Sequence, residues 1–552
     1  MKNALKIGFI ALAFVAVSCQ KDDDGTMQEQ ENNLVILNNN NLTERVKFEN
    51  IGVISMKGAP ETPPAENSSL YKNGQGANDL PLAKIAEIAA PSYQGIDLRA
   101  THVALNGNFA YVSYNVEGNT YQGAVDVINV TDPRNPTIAS QAVFPNTDIS
   151  SLTYYNGSLY LAGATPSINN DGANPAFIFR MELQDGLPTE NVSVIDMPGY
   201  VSTDIIANSD GIFAVSGDNG VVAHYNLDFE TLEESTPLTD LRALGQYNNK
   251  IVALSGTEGI HVYNTSNLNE TNSFPTSQDI AESKRTIDFY DNNVLVSEGM
   301  EGTGVYNINN GNKLATIEIP TEYLDEGTDP NDVVTNAVSV EENHAFVASG
   351  AAGLTVYNLE EGVSNIQNIG TLNLSGSANY VKSSEDYIFV ADGTGGLKII
   401  EMISQGENNS LDCSLFPEYT GSLWLNVNSN DEQAYSGSAS LMGVNVNSNS
   451  TLTFCGAFAV SKGINVNSGG TFLAQGSLVQ GSTESPWNSL NVNNNGTLKI
   501  EGSLVVYGNM ILNNGATLEF LGSNSSITVY GSVIQNGNVT IIGDYIDTFN
   551  SL

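Results

Sequence analysis

From about residue 92 to residue 403, one pattern recurs seven times. The unit is an apolar run, a gap holding Gly, and a second apolar run that ends near Tyr-Asn or Ile. Phe109-Ala-Tyr-Val-Ser leads to Gly123-Ala-Val-Asp-Val-Ile-Asn, and Leu159-Tyr-Leu-Ala-Gly to Ala176-Phe-Ile-Phe-Arg. Phe213-Ala-Val-Ser-Gly leads to Gly220-Val-Val-Ala-His-Tyr-Asn, and Val252-Ala-Leu-Ser-Gly to Gly259-Ile-His-Val-Tyr-Asn. Val294-Leu-Val-Ser-Glu-Gly, Phe346-Val-Ala-Ser-Gly and Phe389-Val-Ala-Asp-Gly begin the last three copies. Copies start about 40 to 54 residues apart. A unit this short cannot bury its apolar face alone, so neighbours must pack on one another.

Each copy also has a strand upstream, such as Thr101-His-Val-Ala-Leu before Asn106-Gly107, or Leu152-Thr-Tyr-Tyr before Asn156-Gly157. Asn-Gly between apolar runs marks a tight hairpin. A downstream strand such as Thr137-Ile-Ala-Ser follows in most copies. Four strands per repeat is the pattern of a propeller blade, and seven blades can close a ring that leaves no sheet edge free. Helical periodicity is absent after the first residues, so the expectation is an all-β chain: a seven-bladed β-propeller over 86–405. Val130-Thr-Asp-Pro-Arg-Asn-Pro136 and Phe389-Val-Ala-Asp-Gly-Thr-Gly-Gly-Leu-Lys-Ile-Ile400 resemble the LVIVD-type propeller repeats of bacterial surface proteins. The likeness is greatest in the first, sixth and seventh copies. It implies a fold and no particular activity.

The period shortens from about residue 411 to 552. Leu425-Asn-Val-Asn, Val444-Asn-Val-Asn, Ile464-Asn-Val-Asn, Leu490-Asn-Val-Asn and Met510-Ile-Leu-Asn-Asn open successive units, and Val533-Ile-Gln-Asn a sixth. Two or three strands of a few residues per unit, with Asn and Gly at the corners, predict a small β-solenoid, a parallel β-helix. Asn at one place in successive turns predicts a stacked amide ladder. The segment resembles filamentous adhesin-type stacks.

The chain begins MKNALKIGFIALAFVAVSC. Lys2 and Lys6, then Ile7 to Val17, then Ser18 before Cys19 make a secretory leader over 1–18, too short to span a bilayer. Cys after a small residue resembles a bacterial lipoprotein signal, which implies acyl chains on Cys19. Gln20, Lys21, Asp22, Asp23 and Asp24 resemble the surface-export signal of Bacteroidetes lipoproteins. The expected address is the outer membrane, lipid-anchored and facing outward. Residues 19–85 are polar and read as a flexible tether. Two apolar pieces within it, Leu34-Val-Ile-Leu37 and Ile51-Gly-Val-Ile-Ser55, are suited to adding strands to a neighbour.

The formal net charge is −41. Without Lys2 and Lys6, 18 Lys and Arg stand against 61 Asp and Glu, which makes −43. Such a body repels phosphate backbones, so nucleic acid is excluded as a partner. The acidity itself has two readings, solubility outside the cell or binding of a divalent cation. Cys413 and Cys455 remain after Cys19 is assigned to lipid. They are either a disulfide or two buried thiols.

No catalytic constellation stands out. The four His fall in four different repeats, with no HExxH and no Cys-Cys-His spacing. His224 and His261 hold matching places and are the two histidines that fit a metal centre in the channel. Gly393-Thr-Gly-Gly396 lies between strands and reads as a hairpin, not a phosphate loop. The acidic loop with Asp325, Glu326, Asp329 and Asp332 is a weak candidate for Ca²⁺, without EF-hand spacing. Tyr114, Tyr121, Tyr154, Tyr155 and Tyr160 read as core, and Trp487 in Ser485-Pro-Trp-Asn as an exposed anchor. The favoured expectation is a non-enzymatic scaffold meeting other envelope proteins at the outer membrane. A glycan-binding protein or adhesin is the alternative, and a hydrolase or lyase working in the channel the second alternative.

Overall fold

The computed structural model describes residues 34–38, 40–54, 80–118, 120–166, 174–277, 283–321, 324, 326–372, 374, 376–406 and 412–552. Leu34–Leu552 forms one compact unit. Cys19 and Gln20 to Asp24 lie outside the described residues, as does Asp325.

The seven copies are seven four-stranded antiparallel blades. Blade one runs Arg99–Asn106, Phe109–Asn115, Gly123–Asn129 and Thr137–Phe144 from axis to rim. The innermost strands of the other six are Asp148–Tyr155, Ser202–Asn208, Leu241–Tyr247, Ile287–Tyr290, Ala337–Glu341 and Tyr380–Ser384. Each innermost strand packs on the next around the ring, and the seventh returns to the first. The second and third strands are buried on both faces, because each blade is sandwiched between two others. That is why they read as continuous apolar runs such as Ile212-Phe-Ala-Val.

The ring is closed by a strand from before the first blade. Leu82–Ile88 pairs antiparallel with Leu397–Met402 and supplies the fourth strand of blade seven. Hydrogen bonds therefore tie the two ends of the propeller sequence together.

The solenoid consists of six coils in two parallel sheets. One sheet holds Trp424–Val427, Gly443–Val446, Ile464–Val466, Leu490–Val492, Met510–Leu512 and Val533–Gln535. The other begins with Glu432–Leu441, Thr451–Val460, Thr471–Gln480 and Thr497–Val506. These strands of ten residues replace the short ones expected from the sequence. They bend at a column of stacked glycines, Gly437, Gly456, Gly476 and Gly502. At Gly476 φ is +108°, and a Cβ would lie 2.3 Å from the Gly456 carbonyl oxygen. Only glycine allows both the backbone angle and the approach. The Asn positions stack as amide ladders. Nδ2 of Asn467, Asn493, Asn513 and Asn536 each donates to the Oδ1 one coil before, at 3.0–3.3 Å.

Part of the expected tether is built into the fold. Val35–Leu37 adds a fifth strand to blade one against Thr137–Phe144. Arg45 clamps Asp126 of blade one with bonds of 3.1 and 2.5 Å and donates to the Ala89 carbonyl. Gly52–Val53 pairs with Leu82–Ile88 on one side and meets the solenoid on the other. Val53 N donates to Gly481 O, and Thr483 N donates to Ile51 O, both at 2.9 Å. The reason is apolar: Leu42, Ile51 and Val53 are buried, so these pieces stabilise more as covered surface than as free chain.

Propeller and solenoid thus share one core. Ile85, Ile88 and Ile399 of blade seven, Val103 and Val112 of blade one, and Ala457, Ala459, Val479, Val505 and Tyr507 on the outside of the solenoid form a single apolar cluster. Beside it, Arg134 of blade one forks onto Glu401 of blade seven at 2.8 and 2.9 Å.

Candidate functional site

The innermost strands surround a central cavity of about 350 Å³, to which all seven blades contribute. Val103, Leu152, Ile205, Leu244 and Val338 border it, each packed into the apolar core between two blades. Among them stand His102, Asp204, Asp288, Tyr380 and Lys382. An ionisable group inside such a wall costs free energy unless it is paired or hydrogen-bonded.

The two aspartates are satisfied in the same way. Asp204 Oδ1 accepts from its own neighbour Ile205 N at 2.9 Å and from Ser151 Oγ at 2.6 Å, and Oδ2 accepts from Leu244 N of the next blade at 2.8 Å. Asp288 Oδ1 accepts from Phe289 N and Oδ2 from Val340 N of the next blade, each at 2.8 Å. Both carboxyls are pushed above the usual range by burial, against the pull of these donors. Their geometry stitches neighbouring blades along the channel wall.

One end of the channel is crossed by a side chain. Lys284 precedes the inner strand of blade five, yet its Nζ donates to the Thr101 and Ser150 carbonyls of blades one and two, at 2.7 Å each. It also lies 5.2 Å from the Tyr380 ring of blade seven. Burial lowers its pKa to about 7, with the Asp204 charge opposing. Toward the other end the wall reaches exposed Gln246. The His102 ring stacks on Tyr380 with centroids 3.7 Å apart. Burial, and then the charges of Lys284 and Lys382, hold the imidazole well below its ordinary pKa, so it is neutral. Its Nδ1 is buried without a hydrogen-bond partner.

The histidines singled out from the sequence are elsewhere. His224 and His261 do match in position, on the third strands Val221–Tyr225 and Gly259–Asn264, but these strands lie away from the axis. His224 Nε2 is bound to Asp210 O at 3.0 Å, and His261 Nδ1 to Glu270 at 2.9 Å. The channel histidine is His102, on an innermost strand. Of the acidic loop, Asp325 lies outside the described residues. Asp329 Oδ1 accepts from Asn331 N and caps the short 3₁₀ turn Pro330–Asp332, so its carboxylate is turned on its own backbone. Among the described residues, no group of three ligating side chains is suited to hold a metal ion.

Cys413 and Cys455 are joined by a disulfide, with Cα atoms 5.5 Å apart. It pins the segment before the first coil to the second coil. Of the tyrosines read as core, Tyr114 and Tyr160 are buried, while Tyr121, Tyr154 and Tyr155 are half-buried. Trp487 is 73% exposed. The channel set of Asp204, Lys284, Asp288, Tyr380 and Lys382 was missed from the sequence. The available signal was an ionisable residue in the strand before each hairpin, as in Ile287-Asp-Phe and Val381-Lys-Ser.

Three stretches match the LVIVD repeat. They are residues 99–139, 334–357 and 375–405, which fall on blades one, six and seven. Those are the copies in which the sequence likeness was greatest. No curated protein matches the chain. Solved structures similar to it include "Structure of U3-55K", at 11% identity and a TM-score of 0.43, over 57% of this chain and 97% of that one. The Pan2 WD40 domain of Neurospora crassa matches at 9% identity and 0.43, over 61% and 98%. The WD40 β-propeller domain of Doa1 matches at 12% and 0.41, over 57% and 96%. None of these likenesses bears on function, and the propeller assignment rests on the strand order above.

Proposed function

We propose that this chain is a non-enzymatic scaffold for protein partners, a Bacteroidetes-type lipoprotein anchored through Cys19 and displayed outside the outer membrane. In this reading it is an accessory subunit of an envelope complex for transport, secretion or barrel assembly. The observation that carries the reading is the continuous core from blades one and seven, through Ile51–Val53, into the solenoid. It fixes two repeat surfaces relative to each other, and a partner then binds a preorganised face without an ordering cost. The leader and the acidic residues after Cys19 supply the address.

A channel hydrolase draws less support. Asp204 and Asp288 have both oxygens engaged by N–H or O–H groups of the wall, which suits a structural role more than proton transfer. Glycan binding is the second reading, favoured by the exposed Trp487. The test is recovery of the tagged full chain from gently solubilised outer membranes. Co-purification of the same envelope proteins in repeated preparations is expected. Repeated recovery as a lone monomer contradicts the scaffold reading. Binding to a polysaccharide array that is lost in Trp487→Ala points to the glycan reading instead.

A further inference from the structure

Two polar side chains of the channel make no hydrogen bond to the fold, although the Asp288 charge faces one of them, Lys382. Lys382 lies on the innermost strand of blade seven and borders the cavity, and no hydrogen bond or ion pair is made by its ammonium. Its neighbours there are Asp288 and His102, and the Asp288 oxygens already accept from two backbone N–H groups. His102 is 8% exposed, and neither ring nitrogen has a hydrogen-bond partner. By contrast, Lys284, the other channel ammonium, is held by two carbonyls. The ammonium donors of Lys382 and the neutral imidazole are therefore available in a cavity whose lining is mixed, with Asp204, Asp288, Thr286 and Ser339 among its polar groups. An anionic acceptor that takes the place of water on the Lys382 ammonium makes a charge-assisted hydrogen bond, the stronger kind.

The complement of this arrangement is an oxyanion attached to an apolar body. The oxyanion answers Lys382 and His102. The body answers Leu105, Ile206 and the Phe289 ring, the partly exposed apolar side chains of the lining. A volume of about 350 Å³ suits a small molecule, not a chain. We propose that the propeller channel binds a small amphipathic monocarboxylate, with the carboxylate on Lys382 and His102 and the apolar part toward Leu105, Ile206 and Phe289. The site is independent of the scaffold role, since it lies on the axis and not on the outer surfaces.

Calorimetric titration of the full chain with benzoate and hexanoate, each beside its amide, tests this. The acids are expected to bind, and the amides at least tenfold more weakly, because they lack the charge that pairs with Lys382. Lys382→Met should weaken the acids at least tenfold and leave the amides unchanged, with an unaltered melting temperature. Equal affinity for acid and amide overturns the proposal, as does wild-type binding of the acids by Lys382→Met. So does the absence of heat from either acid at millimolar concentration. The acid and amide comparison needs only the wild-type protein, so the test survives a variant that does not fold.

Discussion

The propeller and the solenoid solve the same problem, a repeat too small to fold alone, by closing a ring and by stacking a column. In the ring every blade has two neighbours, and Leu82–Ile88 joins the last sheet to the sequence before the first. The column has two ends. Its first coil is covered by the segment around Tyr419, which Cys413–Cys455 pins to the second coil, while Ile534, Ile542, Ile546 and Phe549 near its last coil are exposed. A stack contacts only adjacent coils, so damage to it stays local and frays from the ends. Damage to a ring must be shared by every blade.

This difference can be broken open by experiment. Reduction of Cys413–Cys455 should have the largest effect. The bridge closes a loop with a sequence separation of 42, worth about 4 kcal/mol in chain-entropy terms. The loss should fall on the first coils, read as faster amide exchange in 424–446, with blades three to five unchanged. Gly476→Ala should cost about 3 kcal/mol or more, since it places a Cβ against backbone at a positive φ in mid-column. Gly107→Ala in the blade-one hairpin, where φ is +52° and nothing lies within 4 Å, should cost only about 1 kcal/mol. Chemical denaturation compares the two. Equal costs would show that the glycine column is not a special feature of the stack.

Lys284 tests the ring in the same way. Its folded pKa of about 7 lies below the ordinary 10.5, so the unfolded chain holds more protons between these values. Stability should therefore rise with pH across that window, by no more than about 1.4 kcal/mol per pH unit, and the full cost should apply below it. Lys284→Met should flatten the rise, as seen in melts of the two proteins side by side. Asn467→Ala is expected to cost less than Gly476→Ala and more than Gly107→Ala. It removes two ladder bonds in the half-buried solenoid wall, at about 1 kcal/mol each.

How much of this was legible in the sequence follows from the same contrast. Blades and coils were readable because stacking forces apolar runs and corner residues to recur at a fixed period, as in Val444-Asn-Val-Asn and Ile464-Asn-Val-Asn. The ten-residue strands were not, because a glycine that bends a strand and a glycine that ends one look alike in sequence. Closure by Leu82–Ile88 and the docking of Ile51–Val53 depend on pairings across hundreds of residues, which no local pattern carries. The channel was hidden for a related reason. His102, Asp204, Lys284 and Lys382 meet only because the ring brings their strands to one axis, whereas His224 and His261 matched each other in sequence and lie off it.

The joint between the two bodies is the most direct test of the account. Val53 N–H is bonded to Gly481 O and Thr483 N–H to Ile51 O, and both bonds exist only if propeller and solenoid are one rigid body. Amide exchange should find these two hydrogens as slow as that of Ile399 within blade seven. Exchange at the rate of an open loop, with Ile399 still protected, would show two bodies on a hinge and contradict the rigid platform.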